Sequence, residues 1–488
     1  MKGPLGLRTL FSPVTALLVL TACSGFALEA APPAAPASSA SPAQELVTLD
    51  QSVAAARATA PGLKLATVTL DTARAQLMQV QATNGFSLAG KGGYTHQGNL
   101  PGTTSSSSTA ASTAAVGPVV NGENIQGGLS LAGPATSVGL TAQHSIEDAA
   151  PNDQVSSISL SASQTVFDGY PGGRALAAVQ QADYTNRVAQ VAYDASLKSV
   201  VYQVKQAYYT LLGDQNTVLI RQASVKQAEQ NLAYYQGLLQ AGRATQLDLL
   251  QNEVTLTQAQ LDLGSAQNTV DVDRKNLSAL VGWPLDRQYA ATDTSMPAMP
   301  ALDTKGALKT AFQNRSELLT LALNIAAANV NLTLQKSQAS PVISAVGSLG
   351  RGQDWTANVS VGSFTAGVSI ALPIVDGGLR SAQEQQAVNQ IASYRIQQDQ
   401  QTQSITIAVE NALFGVRDAR DRLDLAGRNV KASQGQYDLQ KARYAVGLVT
   451  TLDVLTSFQS LTTAQVGLEQ ARSNYILALL NLNNAMGL

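Results

Sequence analysis

Residues 204–282 overlay 409–487 at a constant shift of 205 without a gap, and no other feature restricts the fold so tightly. The shift brings Val204 onto Val409, Gly242 onto Gly447, Thr245 onto Thr450, Leu247-Asp248 onto Leu452-Asp453, Asn276-Leu277 onto Asn481-Leu482, and Gly282 onto Gly487. A repeat unit this long is a structural half, so the chain must work through two similar halves.

Each half reads as a helix, a strand pair and a long helical hairpin. Residues 46–82 and 305–338 are the leading helices. In the hairpins, Leu211, Val218, Val225 and Leu232 recur every seven residues, matched by Val416, Leu423, Val430 and Tyr437. On the returning helices Leu249, Leu256, Leu263, Val270 and Leu277 do the same, matched by Val454, Leu461, Leu468, Tyr475 and Leu482. Such narrow stripes are coiled-coil seams. A helix from about 174 to 240 has no proline after Pro171 and would be roughly 100 Å long at 1.5 Å per residue. The leading and returning helices are each near half that length and can stack end to end beside it.

Between the helices the period changes to two. Ser157-Ile158-Ser159-Leu160-Ser161-Ala162-Ser163 alternates polar and apolar residues, as do residues 367–372, and their expected partners are 85–96 and 342–351. That makes about four strands, two per half. Residues 97–150 are expected as an inserted loop, disordered or extended over the surface, on account of the Ser/Thr/Gly-rich tract Thr103–Ala115. Asp168-Gly169 and Asp376-Gly377, followed by further glycines, mark the turn from strand to long helix. The resulting division is a signal peptide at 1–22, a tether at 23–44, a first repeat at 45–282, a linker at 283–304 and a second repeat at 305–488.

The amino terminus reads as an export signal: Lys2 and Arg8 precede an apolar run, Leu10–Leu20, too short to span a bilayer. Leu20-Thr21-Ala22-Cys23 resembles a bacterial lipobox, which would make Cys23 the lipidated first residue of the mature protein, and Ser24 resembles a signal for outer-membrane delivery. The alternative is an ordinary signal peptide cut near Ala27 or Ala30. Cys23 is the only cysteine, so no disulfide within the chain is available. Only 13% of the chain is charged, about half the usual share, and a net charge of −2 leaves no basic face for nucleic acid.

Four strands cannot close a barrel, and an open sheet edge in lipid leaves backbone groups unsatisfied. Membrane-embedded strands would therefore need several copies of the chain. The duplicated halves, the Asp-Gly strand exits and the Gly-x-x-Thr-x-Leu-Asp-x-Leu hairpin in each half resemble the TolC family of outer-membrane efflux channels, over essentially all of the mature chain. The run from Arg443-Tyr444-Ala445-Val446-Gly447 through Ala471-Arg472-Ser473-Asn474-Tyr475 is especially similar. The resemblance implies a mainly α protein with a small transmembrane β part. It would be a homotrimer, its twelve strands forming one outer-membrane barrel and its coiled-coil hairpins a periplasmic α-barrel. It also implies a periplasmic adaptor and an inner-membrane transporter as partners, and passive conduction gated at the periplasmic tip.

Gly242 and Gly447 would stop the long helices, and Thr245-x-x-Asp248 and Thr450-x-x-Asp453 have capping-box spacing for the next ones. Capping alone accounts for both aspartates there. By resemblance, Asp453 would form an acidic ring favouring cations at the entrance, and Asp248 and Tyr444 match a network that closes the tip. Gly242, Arg243, Thr245, Gly447, Leu448 and Thr450 match adaptor-docking turns. Val449 stands where the best-known members carry an arginine, and Thr456 where they carry a second entrance carboxylate, so the latch and the ring are expected to be weaker or differently built.

Catalysis has little support. His96 and His144 are the only histidines, no Ser-His-Asp arrangement emerges from spacing, and no cofactor is implied. Gly85–Gly92 imitates a phosphate-binding loop without its terminal Ser/Thr, and Met296-x-x-Met299, a nominal copper motif, lies among prolines in the linker. A periplasmic adaptor lipoprotein or a surface coiled-coil protein are the non-enzymatic alternatives. The first normally has one hairpin, and the second lacks strand-to-helix Asp-Gly exits.

Overall fold

The computed structural model describes residues 45–97, 122–147, 153–292 and 303–488. The signal segment with Cys23, the tether to residue 44, the Thr103–Ala115 tract and Met296/Met299 lie outside the described residues. The first half runs β1 (Glu45–Val47), α1 (Leu49–Thr59), α2 (Pro61–Thr83), β2 (Ser87–Gln97), β3 (Gly122–Ala132), β4 (Thr136–Glu147), β5 (Asp153–Phe167), α3 (Arg174–Gln240) and α4 (Gln246–Val281). The second runs β6 (Tyr289–Ala291), α5 (Thr304–Asn314), α6 (Ser316–Ser337), β7 (Val342–Asp354), β8 (Val359–Ala371), α7 (Leu379–Ala445) and α8 (Thr451–Ala485).

The long helices α3 and α7 are 67 residues each. The heptad positions form the seams between helices: Leu211, Val416, Leu277 and Leu482 are at most 1% exposed. Helices α3 and α4 pack as one hairpin, α7 and α8 as the other, and α3 also packs on α8, which joins the two. α4 ends against α1, where the Thr59 hydroxyl donates to the Val281 carbonyl at 2.7 Å. Leading and returning helices thus meet end to end alongside α3, as their lengths suggested. The same junction recurs in the second half, where Gly487 lies against Asn314 at the α5–α6 break.

Two short segments depart from the sequence expectation. Residues 45–47 are a strand, not the start of the leading helix, and pair in parallel with 289–291 in the expected linker. The Tyr208 hydroxyl, fully buried on α3, lies 3.0 Å from the carbonyls of both Val47 and Thr292, so these segments are laced to the middle of the long helix.

The larger correction concerns the sheet. It has six antiparallel strands in the order β2-β3-β4-β5-β7-β8, not about four. The segment expected as a loop contains the hairpin β3–β4, inserted between β2 and β5 and paired along its whole length on both sides. Glycines 122, 127, 128 and 139 dilute its alternation, which hid it from a reading based on periodicity.

Gly282 closes α4 at φ +85°, and a Cβ there would stand 2.7 Å from the Thr59 carbonyl oxygen. Gly282→Ala should therefore cost at least ~1–2 kcal/mol from the left-handed backbone alone, read as a fall in thermal midpoint. Gly264→Ala, inside the same helix with nothing within 4 Å, should instead leave stability unchanged or raise it by about 0.5–1 kcal/mol.

Candidate functional site at the hairpin tips

Each long helix ends in the same local structure, dictated by one glycine. Gly242 at φ +69° lets the Arg243 N–H return to the Leu238 carbonyl (2.8 Å) and its own N–H to Leu239 (2.9 Å). Gly447 at φ +77° does the same, with Leu448 N–H to Arg443 (3.0 Å) and its own N–H to Tyr444 (2.9 Å). This pairing satisfies the orphaned carbonyls of a helix end, and glycine supplies the left-handed residue without a Cβ penalty.

The returning helices open with reciprocal capping boxes. Thr245 N–H donates to Asp248 Oδ2 at 2.8 Å, and Asp248 N–H to Thr245 Oγ1 at 3.2 Å. Thr450 and Asp453 repeat this at 2.9 and 3.3 Å. Capping is thus a role both aspartates fill, as their spacing predicted.

Only Asp248 does more. The Thr451 hydroxyl, nearly fully buried, donates to Asp248 Oδ1 at 2.5 Å across the gap between the hairpins. The Tyr444 hydroxyl lies 3.5 Å from the same Thr451 oxygen. Its ring packs on Tyr235 with centroids 5.3 Å apart. Burial is the main cause that pushes the Tyr235 phenol up, and it stays protonated as part of this cluster. For Asp248, partial burial works against ionisation, but the Thr245 and Thr451 donors outweigh it and hold the carboxyl below its ordinary range. Beneath lies a shared core of Ala228, Ala259, Tyr437, Val454, Phe458 and Leu461, drawn from all four hairpin helices.

Asp248 and Tyr444 are therefore brought together, through Thr451. Sequence reading missed Thr451 and Tyr235, although the doublet Thr450-Thr451 stands where the first half has Thr245-Gln246. The link between the hairpins here is a hydroxyl–carboxylate bond. Asp453 stands apart: it is exposed, and its carboxyl is held down by the Thr450 hydroxyl and N–H alone. Arg243 is exposed, and so are Leu448, Val446 and Leu452 at the second tip and Leu247 at the first.

At the other end of the long helices, Asp168 Oδ2 accepts from Arg174 N–H at 2.6 Å and Asp376 Oδ2 from Arg380 N–H at 3.0 Å. These aspartates anchor the first turns, where Gly172, Gly173, Gly377 and Gly378 adopt positive φ. The two histidines lie on strands, His144 Nδ1 2.8 Å from the Ser156 hydroxyl and His96 Nδ1 3.7 Å from Glu123. Among the described residues no cluster of three or more His, Cys, Asp or Glu has a metal-binding arrangement.

Long paired hairpins thus carry an exposed antiparallel sheet at one end and capped turns at the other. The outer membrane efflux protein family profile matches residues 53–283 and 307–488, and the chain belongs to that family. It is 24% identical over 334 residues to the outer membrane efflux protein BepC of Brucella suis, covering 68% of this chain and 72% of the relative. It is 24% identical over 365 residues to the outer membrane protein TolC of Escherichia coli, covering 69% and 70%. The crystal structure of the outer membrane protein VceC from Vibrio cholerae superposes with a TM-score of 0.67 at 17% identity, over 90% of this chain and 96% of that one. The chain is an outer-membrane efflux channel, and its place is the outer membrane.

One titratable pair sits away from the tips. Asp214 on α3 is pushed up to about 7, first by burial and then by a hydrogen bond and repulsion from Asp273 on α4. A raised carboxyl favours the folded chain fully below about pH 4 and loses that contribution as pH rises through 7. Thermal midpoints at pH 5 and pH 8 should therefore differ more for the wild-type protein than for Asp214→Asn.

Proposed function

We propose that three copies of this chain assemble into one conduit, receiving cargo from an inner-membrane transporter and a periplasmic adaptor and passing it outward by passive conduction. The observation that carries the reading is the sheet: one face exposes apolar side chains, the other is rich in Ser, Thr and Gly, and both edge strands lack a partner among the described residues. A membrane is the solvent that suits such a face, and another chain is the partner that suits such edges.

The helices support the same assembly. In the second half, α6 packs against both α7 and α3. In the first half, α2 packs on α3 but leaves Leu65, Val68 and Met78 between 62 and 71% exposed. A neighbouring copy's α7 would complete that set by repeating the relation seen within the chain. At the tips, the Asp248–Thr451–Tyr444 cluster would hold the hairpins in a closed arrangement, Asp453 would present a ring of exposed carboxylates favouring cations, and the exposed apolar turns around Gly242-Arg243 and Gly447-Leu448 would dock the adaptor. A lipid on Cys23 would add an anchor in the same membrane.

Reconstituted in planar bilayers, Asp453→Asn should lower cation preference without changing how often the channel opens. Thr451→Val should raise open probability or conductance while leaving selectivity intact. Unchanged conduction in Thr451→Val would remove the closing role. A bulky replacement of Gly447 should abolish export in cells yet still yield the trimer on a gel, and loss of the trimer would refute the docking role of that turn.

A further inference from the structure

The hairpin β3–β4 is in phase with the rest of the sheet. Directly paired residues share a face, and one such row runs Gly90, Leu129, Leu140, Leu160, Leu349, Phe364 across all six strands. Two residues along, the row is Leu88, Leu131, Val138, Ala162, Gly347, Ala366. Except for the small residues and the half-buried Val138 these are exposed, from Leu140 at 39% to Phe364 at 77%. The offset rows on the opposite face read Ala89, Ser130, Gly139, Ser161, Ser348, Thr365 and Lys91, Gly128, Thr141, Ser159, Gly350, Ser363. Hydroxyls pair across that face, Ser137 with Ser163 at 2.8 Å and Thr141 with Ser159 at 2.6 Å. Glu123, near the far end of the sheet and paired across strands with His96, and Arg351 carry charge on the apolar face; the Arg351 Nε lies 3.3 Å from Ser360 in the next row toward the β7–β8 turn, as a side chain leaving a lipid band would reach.

A hairpin folded into a water-filled lumen has no need for this phasing, because both its faces would meet water. A hairpin in a barrel wall does, since a one-residue slip would turn its apolar row into water. Chain lengths agree. The β3–β4 turn, at the end of the sheet nearest the helices, is three residues, Gly133 to Ala135, and is seated on Phe86: a Cβ on Gly133 would stand 2.7 Å from that ring. The longer connections, 98–121 and 148–152, join strands at the far end. Short turns on the periplasmic side and longer outer loops are the pattern of membrane barrels, and strands of 11 to 15 residues suffice to cross at a tilt.

We infer that β3–β4 is part of the membrane wall, so each chain contributes six strands and a trimer closes an eighteen-stranded barrel, not the twelve that a four-strand chain would give. This rests on the three-copy assembly proposed above. Strand β2 leaves the helices and β8 returns to them, so β8 of one copy meets β2 of the next antiparallel, and six strands per copy keep the total even. Barrel diameter grows roughly linearly with strand number, which makes this exit about half as wide again as a twelve-stranded one. Restriction of cargo then falls to the helical duct and its tips.

Single cysteines at Leu129, Leu140, Ser130 and Thr141, with Leu160 and Ser161 on β5 as references, test this in intact outer membranes against an unlabelled wild-type control. A charged, water-soluble maleimide should label positions 130, 141 and 161 and spare 129, 140 and 160, while a lipid-soluble maleimide reverses the pattern. If 160 and 161 behave as expected but 129 and 140 label from water like their neighbours, the hairpin is outside the wall and the inference fails. If 160 and 161 show no difference, the barrel reading itself fails. Imaging of the purified trimer in lipid nanodiscs supplies the direct count: eighteen strands support the inference, and twelve overturn it.

Discussion

The backbone of the edge strands is the group on which the rest of this architecture depends. Ser87–Gln97 and Val359–Ala371 flank a sheet whose apolar face is exposed, and each edge presents a row of N–H and C=O groups with no partner among the described residues. In water such an edge is an aggregation hazard; in hydrocarbon each unsatisfied group costs several kcal/mol. Closure by the further copies proposed above would meet that demand for every edge at once. The strand exits then matter because Asp168 and Asp376 seat the first turns of α3 and α7 directly under the sheet, so the sheet and the long helices are one continuous wall.

Duplication explains the helical part, and the tips depart from it. The seams, the glycine stops and the capping boxes are the same in both halves because each is set by local sequence. At the tips the halves diverge: Thr451 faces Asp248, whereas its counterpart by the 205-residue shift is Gln246, and Tyr444 corresponds to Leu239. The contact between the two hairpins of one chain therefore has a hydroxyl, a carboxylate and two phenols, and the contact expected between neighbouring chains has a different chemistry. A ring that alternates two kinds of contact can loosen at one kind while the other holds it together.

Much of this was legible in the sequence wherever the physics is periodic or local. Heptads at Leu211 and Val416 marked the seams, Gly242 and Gly447 the turns, and Thr-x-x-Asp the caps. The strand Ser157–Ser163 declared itself by unbroken alternation. The hairpin 122–147 did not, because Gly127, Gly128 and Gly139 occupy positions that in a clearer strand would carry side chains, and a Ser/Thr tract precedes it. Thr451 was hidden for another reason. Its partner lies 203 residues away, and nothing local distinguishes a threonine beside a cap from any other. The Asp214–Asp273 pair, on two helices of one hairpin, was illegible on the same ground.

Closure between copies is open to direct measurement by disulfide scanning. A cysteine at Gly90 on β2, combined in turn with cysteines along Val359–Ala371 on β8, places one thiol on each edge of every chain. Oxidation in intact outer membranes should give covalent dimers and trimers and nothing larger, at those β8 positions that stand opposite residue 90 of the neighbouring copy. If every pair yields only monomers, or a disulfide within one chain, the edges do not meet between copies and the account of a shared barrel is wrong.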